Sequence, residues 1–217
     1  MKAIILAAGR GARLAPLTDT TPKPLLPING QPLIVRQLQQ LRAANITNVV
    51  INLYHLGDLI ERALGNGEKF GMQIAYSHEQ SLLETGGGIK KALPLLEDDE
   101  FVVCNGDIYT DFNFSTLPKA LAPNDSAHLV LTSTPKTRES GDFDYSQGRV
   151  TNRGNNFVYC GISIFSRRIF GNSPEGAFSS RDLLFEAMNQ GQLSAQIHRG
   201  QWTDIGTLGD YQKANDN

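Results

Sequence analysis

A run of small residues, glycines and arginines, Ala7–Arg13 (AAGRGAR), follows the apolar segment Lys2–Ala7. Ala7, Ala8, Gly9 and Gly11 put little side chain between backbone N–H groups and a ligand, which suits close approach to a polyphosphate. Arg10 and Arg13 add fixed charge and forked donors for phosphate oxygens. Residues 1–25 hold four Lys/Arg against one Asp/Glu, so a nearly neutral chain is locally cationic here. Neither GxxxxGK[ST] nor GxGxxG spacing is present, which removes the two common nucleotide loops. Taken alone, the run reads first as a turn with solvated arginines. Lys23 shifts the balance, because Pro22 and Pro24 restrict the backbone on both sides and hold its ammonium at a defined place.

Carboxylates form a second group. Asp107 ends FVVCNGD, at the carboxyl end of a predicted strand, where α/β sheets form ligand crevices. Asp204 lies in QWTDIGT, after a β-like run and before a helix. Two carboxylates at strand ends with a triphosphate between them suit Mg²⁺. Spacing alone does not pair them. Glu97–Glu100 reads as a solvated turn, and Asp111 as a cap or a supporting group. A third group is Leu83–Ile89 (LETGGGI). Gly86, Gly87 and Gly88 would let a backbone lie flat on a base or sugar ring, or form a flexible tip before a helix.

The elements that must position these groups follow from periodicity. Lys2–Ala7, Asn48–Leu53, Met72–Tyr76 and Phe101–Cys104 read as buried strands. Between them, helices are predicted from Pro32 to about Ala44, over Gly57–Leu64, and over Gly87–Leu93 with Pro94 as the stop. The four prolines of Thr21–Pro32 argue against helix and for a stiff, extended loop. The second half is richer in strands: Ala127–Thr132, Asp142–Tyr145, Arg149–Thr151, Phe157–Phe165 and Ala195–His198. Helices are predicted at Ser180–Gln190, capped by Ser179 or Ser180, and from Leu208 onward. The fold class is therefore α/β, a mainly parallel central sheet with a smaller antiparallel lobe. The expected division is 1–115 for one lobe, 116–200 for the second, and 201–217 for the second aspartate and a closing helix.

Composition narrows the function. Charged residues are 19% and the formal net charge is −2, so no global cationic field exists to hold a nucleic acid polymer or an anionic membrane. Two cysteines, Cys104 and Cys160, are too few for a disulfide scaffold and read as buried thiols in strands. No stretch approaches the roughly 20 apolar residues of a membrane span, so a cytoplasmic protein is expected.

Taken together, Gly9–Gly30 (GRGARLAPLTDTTPKPLLPING) resembles the signature of the sugar-1-phosphate nucleotidylyltransferases, GxGTRLxPLT followed by TPKPLLPI. Ala12 departs from it, where the family usually has Thr. NGD at Asn105–Asp107 and WTDIGT at Trp202–Thr207 match in the expected order. Among these enzymes the chain looks most like the short bacterial N-acetylmuramate 1-phosphate uridylyltransferases, with mannose-1-phosphate guanylyltransferases also similar.

The resemblance implies a Rossmann-like nucleotide-diphospho-sugar transferase fold, Mg²⁺, a nucleoside triphosphate (UTP favoured) and a sugar 1-phosphate. Arg13 would grip the leaving pyrophosphate and Lys23 the α-phosphate. Asp107 and Asp204 would hold Mg²⁺. Ala7, Ala8, Gly9 and Gly11, with Glu79 and the Leu83–Gly88 loop, would face the nucleotide. Asn105, Gly141, Asp142 and Gly161 would line the sugar pocket. The family's EKP-like motif is replaced by Asn152-Arg153-Gly154, so Arg153 stands as the sugar-phosphate anchor. A muramyl carboxylate would want a cationic partner, for which Arg138, Arg149 and Arg153 are the candidates. Trp202 would pack and position Asp204, and none of the four histidines is needed as a catalyst. A non-catalytic sugar-nucleotide-binding subunit is the alternative of a different class. A monomer or simple dimer is expected.

Overall fold

Short apolar runs bounded by turn residues become strands here because they are too short to bury a helical face. The computed structural model describes residues 1–136 and 138–216. Thr137, in the expected second lobe, and Asn217, at the end of the expected closing segment, lie outside the described residues. The strands are β1 (Ala3–Leu6), β2 (Pro27–Ile28), β3 (Gln31–Pro32), β4 (Asn48–Leu53), β5 (Gln73–His78), β6 (Glu100–Asn105), β7 (Ile108–Thr110), β8 (Ala127–Ser133), β9 (Phe143–Ser146), β10 (Arg149–Arg153), β11 (Phe157–Ser166), β12 (Leu193–Ile197) and β13 (Trp202–Asp204). The helices are α1 (Leu17–Thr20), α2 (Leu33–Ala43), α3 (Gly57–Leu64), α4 (Glu84–Leu96), α5 (Ser180–Asn189) and α6 (Leu208–Asn215).

Nine strands form one sheet in the order β5-β4-β1-β6-β11-β8-β12-β10-β9. The first four are parallel. β11 reverses the direction, running antiparallel to both β6 and β8, and β12 is parallel to β8. β10 and β9 close the far edge antiparallel. Successive residues of β1 point to opposite faces, and both faces are buried. Ile5 belongs to the layer of α2 and α3, with Leu38 and Ile60. Ile4 belongs to the layer of α4 and α5, with Ile89 and Leu184. This two-sided cover explains the continuous apolar character of the central strands.

The structure corrects two local expectations and adds one element. The proline-rich segment is not simply extended: Lys23–Leu25 is a 3₁₀ turn, followed by the β2–β3 hairpin. Helix α4 begins at Glu84 and runs through Pro94 to Leu96. A proline in the last turn removes one rung of the ladder and does not end the helix. Most importantly, β7 and β13 pair antiparallel in a separate two-stranded sheet, an element too short to announce itself in the sequence.

Candidate active site

The β7–β13 pairing joins the two aspartates. Asp204 registers with Ile108, the residue after Asp107, and the N–H of Ile205 donates to the Asp107 carbonyl at 3.0 Å. The turn bearing Asp107 is also held from behind by α2. Gln37 Nε2 donates to the carbonyls of Asn105 (2.8 Å) and Ile108 (3.2 Å), and Gln40 Nε2 to that of Thr110 (2.7 Å). Gln37 is only 1% exposed. It shares the apolar stripe of Leu33 and Leu41, one turn away on either side, and a polar residue in such a stripe signals a bonded role. Trp202 Nε1 donates to the Cys160 carbonyl at 2.9 Å and so ties β13 to β11.

Charges of both signs converge on this turn. Lys23 Nζ lies 2.7 Å from Asp107 Oδ2, with its side chain largely buried. Arg13 lies beside Gly206, where a Cβ would come within 3.3 Å of its guanidinium. Asp204 Oδ1 is buried with no hydrogen-bond partner among the described residues. Burial raises the Asp204 pKa, the Asp107 charge raises it further, and Lys23, Arg13 and Arg138 oppose them. Two neighbouring carboxylates, one with an orphaned oxygen, suit a hard divalent cation that takes its remaining oxygens from phosphate or water. Among the described residues there is no group of three or more His, Cys, Asp or Glu that would enclose a metal by itself.

Two cavities meet at this point. One, of about 250 Å³, is lined by Asn105, Asp142, Tyr159, Gly161, Trp202 and Asp204, among others. The second, of about 310 Å³, is lined by Ala8, Gly9, Asn52, Leu82, Glu84 and Thr85. Asp107 and Asn105 line both, so the carboxylate turn stands at the seam. No histidine lines either cavity among the described residues. Gly161 has φ +73°, and a Cβ there would approach Asn105 Nδ2 to 2.8 Å, so glycine is required for β11 to pass over Asn105.

Several sequence candidates have a different place. The N–H of Ala7 is taken by Asn52 Oδ1 at 2.8 Å, which leaves Ala8 and Gly9 to face the second cavity. Gly11 is left-handed, φ +64°, beneath Thr18 and Lys23. Glu79 is a brace: its two oxygens accept from Asn52 Nδ2 (2.7 Å) and the Leu83 N–H (3.0 Å). Leu83 lines neither cavity; its neighbours Leu82 and Glu84 do. The glycine triplet is not an open loop but the first turn of α4. The N–H groups of Gly86 and Gly87 both donate to the Phe178 carbonyl, and any side chain at Gly86 or Gly87 would strike Phe178 or Gly176. Gly88 packs against Asn52 and Glu79.

Gly141 does not line the first cavity; it packs against Thr134, Asn155 and Phe157. Arg153 is not on the wall either; its guanidinium stacks 4.4 Å from the Phe185 ring centroid. The cations that do line it are Arg138 and Arg181. Cys104 and Cys160 are both buried and unbridged, and burial pushes both thiols up, which makes them unreactive.

No helix among the described residues is long and apolar enough to cross a membrane. A family model described as Nucleotidyl transferase matches residues 2–217. The chain is 44% identical over 217 residues to N-acetylmuramate alpha-1-phosphate uridylyltransferase of Neisseria meningitidis serogroup B, covering 96% of this chain and 94% of that one. It is 31% identical over 225 residues to mannose-1-phosphate guanyltransferase beta-A of Xenopus laevis, covering 97% of this chain and 62% of that relative. The crystal structure of HddC from Yersinia pseudotuberculosis complexed with GMP-PN superposes with a TM-score of 0.83 at 25% identity, covering 99% of this chain and 98% of that one.

Proposed function

The chain belongs to the nucleotidyl transferase family, and from that premise we propose that it transfers the uridylyl group of UTP to N-acetylmuramate 1-phosphate, releasing pyrophosphate. Transfer of a nucleotide to a sugar 1-phosphate is common to the named relatives; the choice of this pair follows the relative matched over nearly its whole length. A muramyl acceptor would place the step in cell-wall recycling in the cytoplasm. The observation that supports the reading is the pair of cavities meeting at Asp107, with cations and carboxylates at the seam, an arrangement that suits two substrates joined at a phosphate.

The nucleophile is an oxygen of the sugar phosphate, anionic near neutral pH, so no general base is needed. Among the described residues that line the cavity, none is a histidine. The oxygen forms a bond to the α-phosphorus in line, the bond from that phosphorus to the β-phosphate oxygen breaks, and pyrophosphate departs with the electron pair. The barrier is repulsion between anions and charge on the leaving group, so positioning and fixed positive charge are what the protein must supply. Lys23 would meet the α-phosphate and Arg13 the departing pyrophosphate. Asp107 and Asp204 would hold Mg²⁺, which when bound supplies positive charge to phosphate oxygens. Ala8 and Gly9 would face ribose and base, and Asn105, Asp142 and Gly161 the sugar.

A coupled pyrophosphate assay over a matrix of nucleoside triphosphates and sugar 1-phosphates tests this. UTP with N-acetylmuramate 1-phosphate is expected to be fastest. A faster reaction of GTP with mannose 1-phosphate would replace the substrate pair, and no pyrophosphate from any pair would overturn the activity.

A further inference from the structure

The wall of the sugar-side cavity holds two arginines, one of them with no carboxylate partner among the described residues. Three carboxylates line it, and each faces a cation. Asp107 is paired with Lys23 at 2.7 Å. Asp142 faces Arg138 at 3.8 Å. Asp204 feels the charges of Lys23, Arg13 and Arg138. Arg181 lines the same wall beside Leu184 and Phe185, and its guanidinium has no ion pair or hydrogen bond with any described residue. Only its backbone is engaged, through the N–H donated to Ser179 Oγ at 3.3 Å.

Arg199 does not line this cavity, and Arg138, Arg149, Arg153, Arg167 and Arg168 are each committed to other partners. Arg149 is held by both Asp125 oxygens and by the Gly191 carbonyl. Arg153 stacks on Phe185 outside the wall. Arg167 and Arg168 are bound to backbone carbonyls of Leu93, Asp98, Pro123 and Asp125. Arg138 is balanced by Asp142 and acts on Asp204, at the phosphate end of the cavity.

We infer that Arg181 is a specificity-determining residue that reads a carboxylate on the sugar, so that the cavity selects an acidic sugar 1-phosphate over its neutral counterpart. This rests on the sugar-phosphate reading of the cavity proposed above. Arg181 is exposed where it lines the cavity, so a ligand can engage its guanidinium without breaking an existing pair, and the guanidinium fork matches a carboxylate with two parallel hydrogen bonds. N-acetylmuramate and N-acetylglucosamine 1-phosphates differ only in the ether-linked lactyl carboxylate, so together they isolate this contact.

The experiment is the ratio of kcat/KM for N-acetylmuramate 1-phosphate over N-acetylglucosamine 1-phosphate, in the wild type, Arg181→Gln and Arg181→Lys. Where the neutral sugar turns over too slowly, its inhibition constant replaces its kcat/KM. The wild-type ratio is expected to exceed one, to fall about tenfold or more in Arg181→Gln, and to fall less in Arg181→Lys, which keeps the charge but loses the fork. A ratio does not depend on how much of a variant is folded, so partial misfolding cannot mimic the effect. An unchanged ratio in Arg181→Gln overturns the inference, as does a wild-type ratio at or below one. In both cases pyrophosphate release from some sugar 1-phosphate would leave the nucleotidyl-transfer reading standing. Absence of release from every sugar would overturn that reading and this one with it.

Discussion

Lys23 Nζ stands 2.7 Å from Asp107 Oδ2, although 84 positions separate the two residues. In this arrangement the lysine occupies one side of a carboxylate that the proposed mechanism assigns to a divalent cation. The ammonium and the cation therefore compete for Asp107 until a triphosphate gives Lys23 another partner. Lys23→Ala is expected to lower kcat by about 10²–10³-fold, the usual cost of losing one preorganised charge donor to a phosphoryl centre. The same variant is expected to bind Mn²⁺ more tightly than the wild type without nucleotide, measured by titration calorimetry. Weaker Mn²⁺ binding would contradict the competition.

Asp204 gives an expectation with a defined sign. Its pKa is raised by burial and by Asp107, so the folded state holds its proton more tightly than the unfolded chain does. Such a group costs nothing below the unfolded value near 3.8, costs progressively more as pH rises from there, and reaches its full cost above the folded pKa. Asp204→Asn is therefore expected to raise the metal-free Tm at neutral pH, with the gain vanishing as pH falls through the carboxylate range. Catalysis by the same variant is expected to be lost. Calorimetric scans at several pH values check the first statement; an Asp204→Asn Tm below wild type at pH 7 would refute it.

Gln37 supports Asp107 without touching a substrate cavity. Gln37→Leu keeps an apolar fill but leaves the carbonyls of Asn105 and Ile108 without their donor, at about 1–3 kcal/mol. Because those carbonyls bracket Asp107, half-saturation by Mg²⁺ is expected to rise together with a fall in kcat of about tenfold. A purely structural role would lower Tm and leave the Mg²⁺ dependence where it was.

Gly161→Ala places a Cβ 2.8 Å from Asn105 Nδ2 at a left-handed backbone position. A cost of about 1–3 kcal/mol is expected, or about 2–10 °C in Tm for a chain of this size. KM for the sugar phosphate should rise more than KM for UTP, because Asn105 moves against the sugar-side wall. Equal changes in both constants would show that the effect is global.

Much of this was legible before any coordinates. Alternating apolar runs and amphipathic segments gave the strand and helix order, because each covers a sheet buried on both faces. The GRGARLAPLT and PKP segments marked Arg13 and Lys23, since prolines and glycines record backbone constraints locally. What stayed hidden depended on distant partners. Asp107 and Asp204 are joined by two three-residue strands whose pairing has no local period. The glycine triplet is small because Phe178 and Gly176 press on it, so with the neighbours unknown it reads equally as a ligand-facing backbone or a flexible tip before a helix. Arg153 and Arg181 differ only in what lies beside them, a ring in one case and a cavity in the other.

The transfer itself is tested most directly with N-acetylmuramate 1-phosphate carrying ¹⁸O in its non-bridging oxygens, mixed with UTP, Mg²⁺ and the enzyme and read by mass spectrometry. Attack of the sugar phosphate on the α-phosphorus makes the UDP-sugar and pyrophosphate in equal amounts, with all label in the UDP-sugar and none in the pyrophosphate. Label in the pyrophosphate, or release of orthophosphate in place of pyrophosphate, would contradict that chemistry.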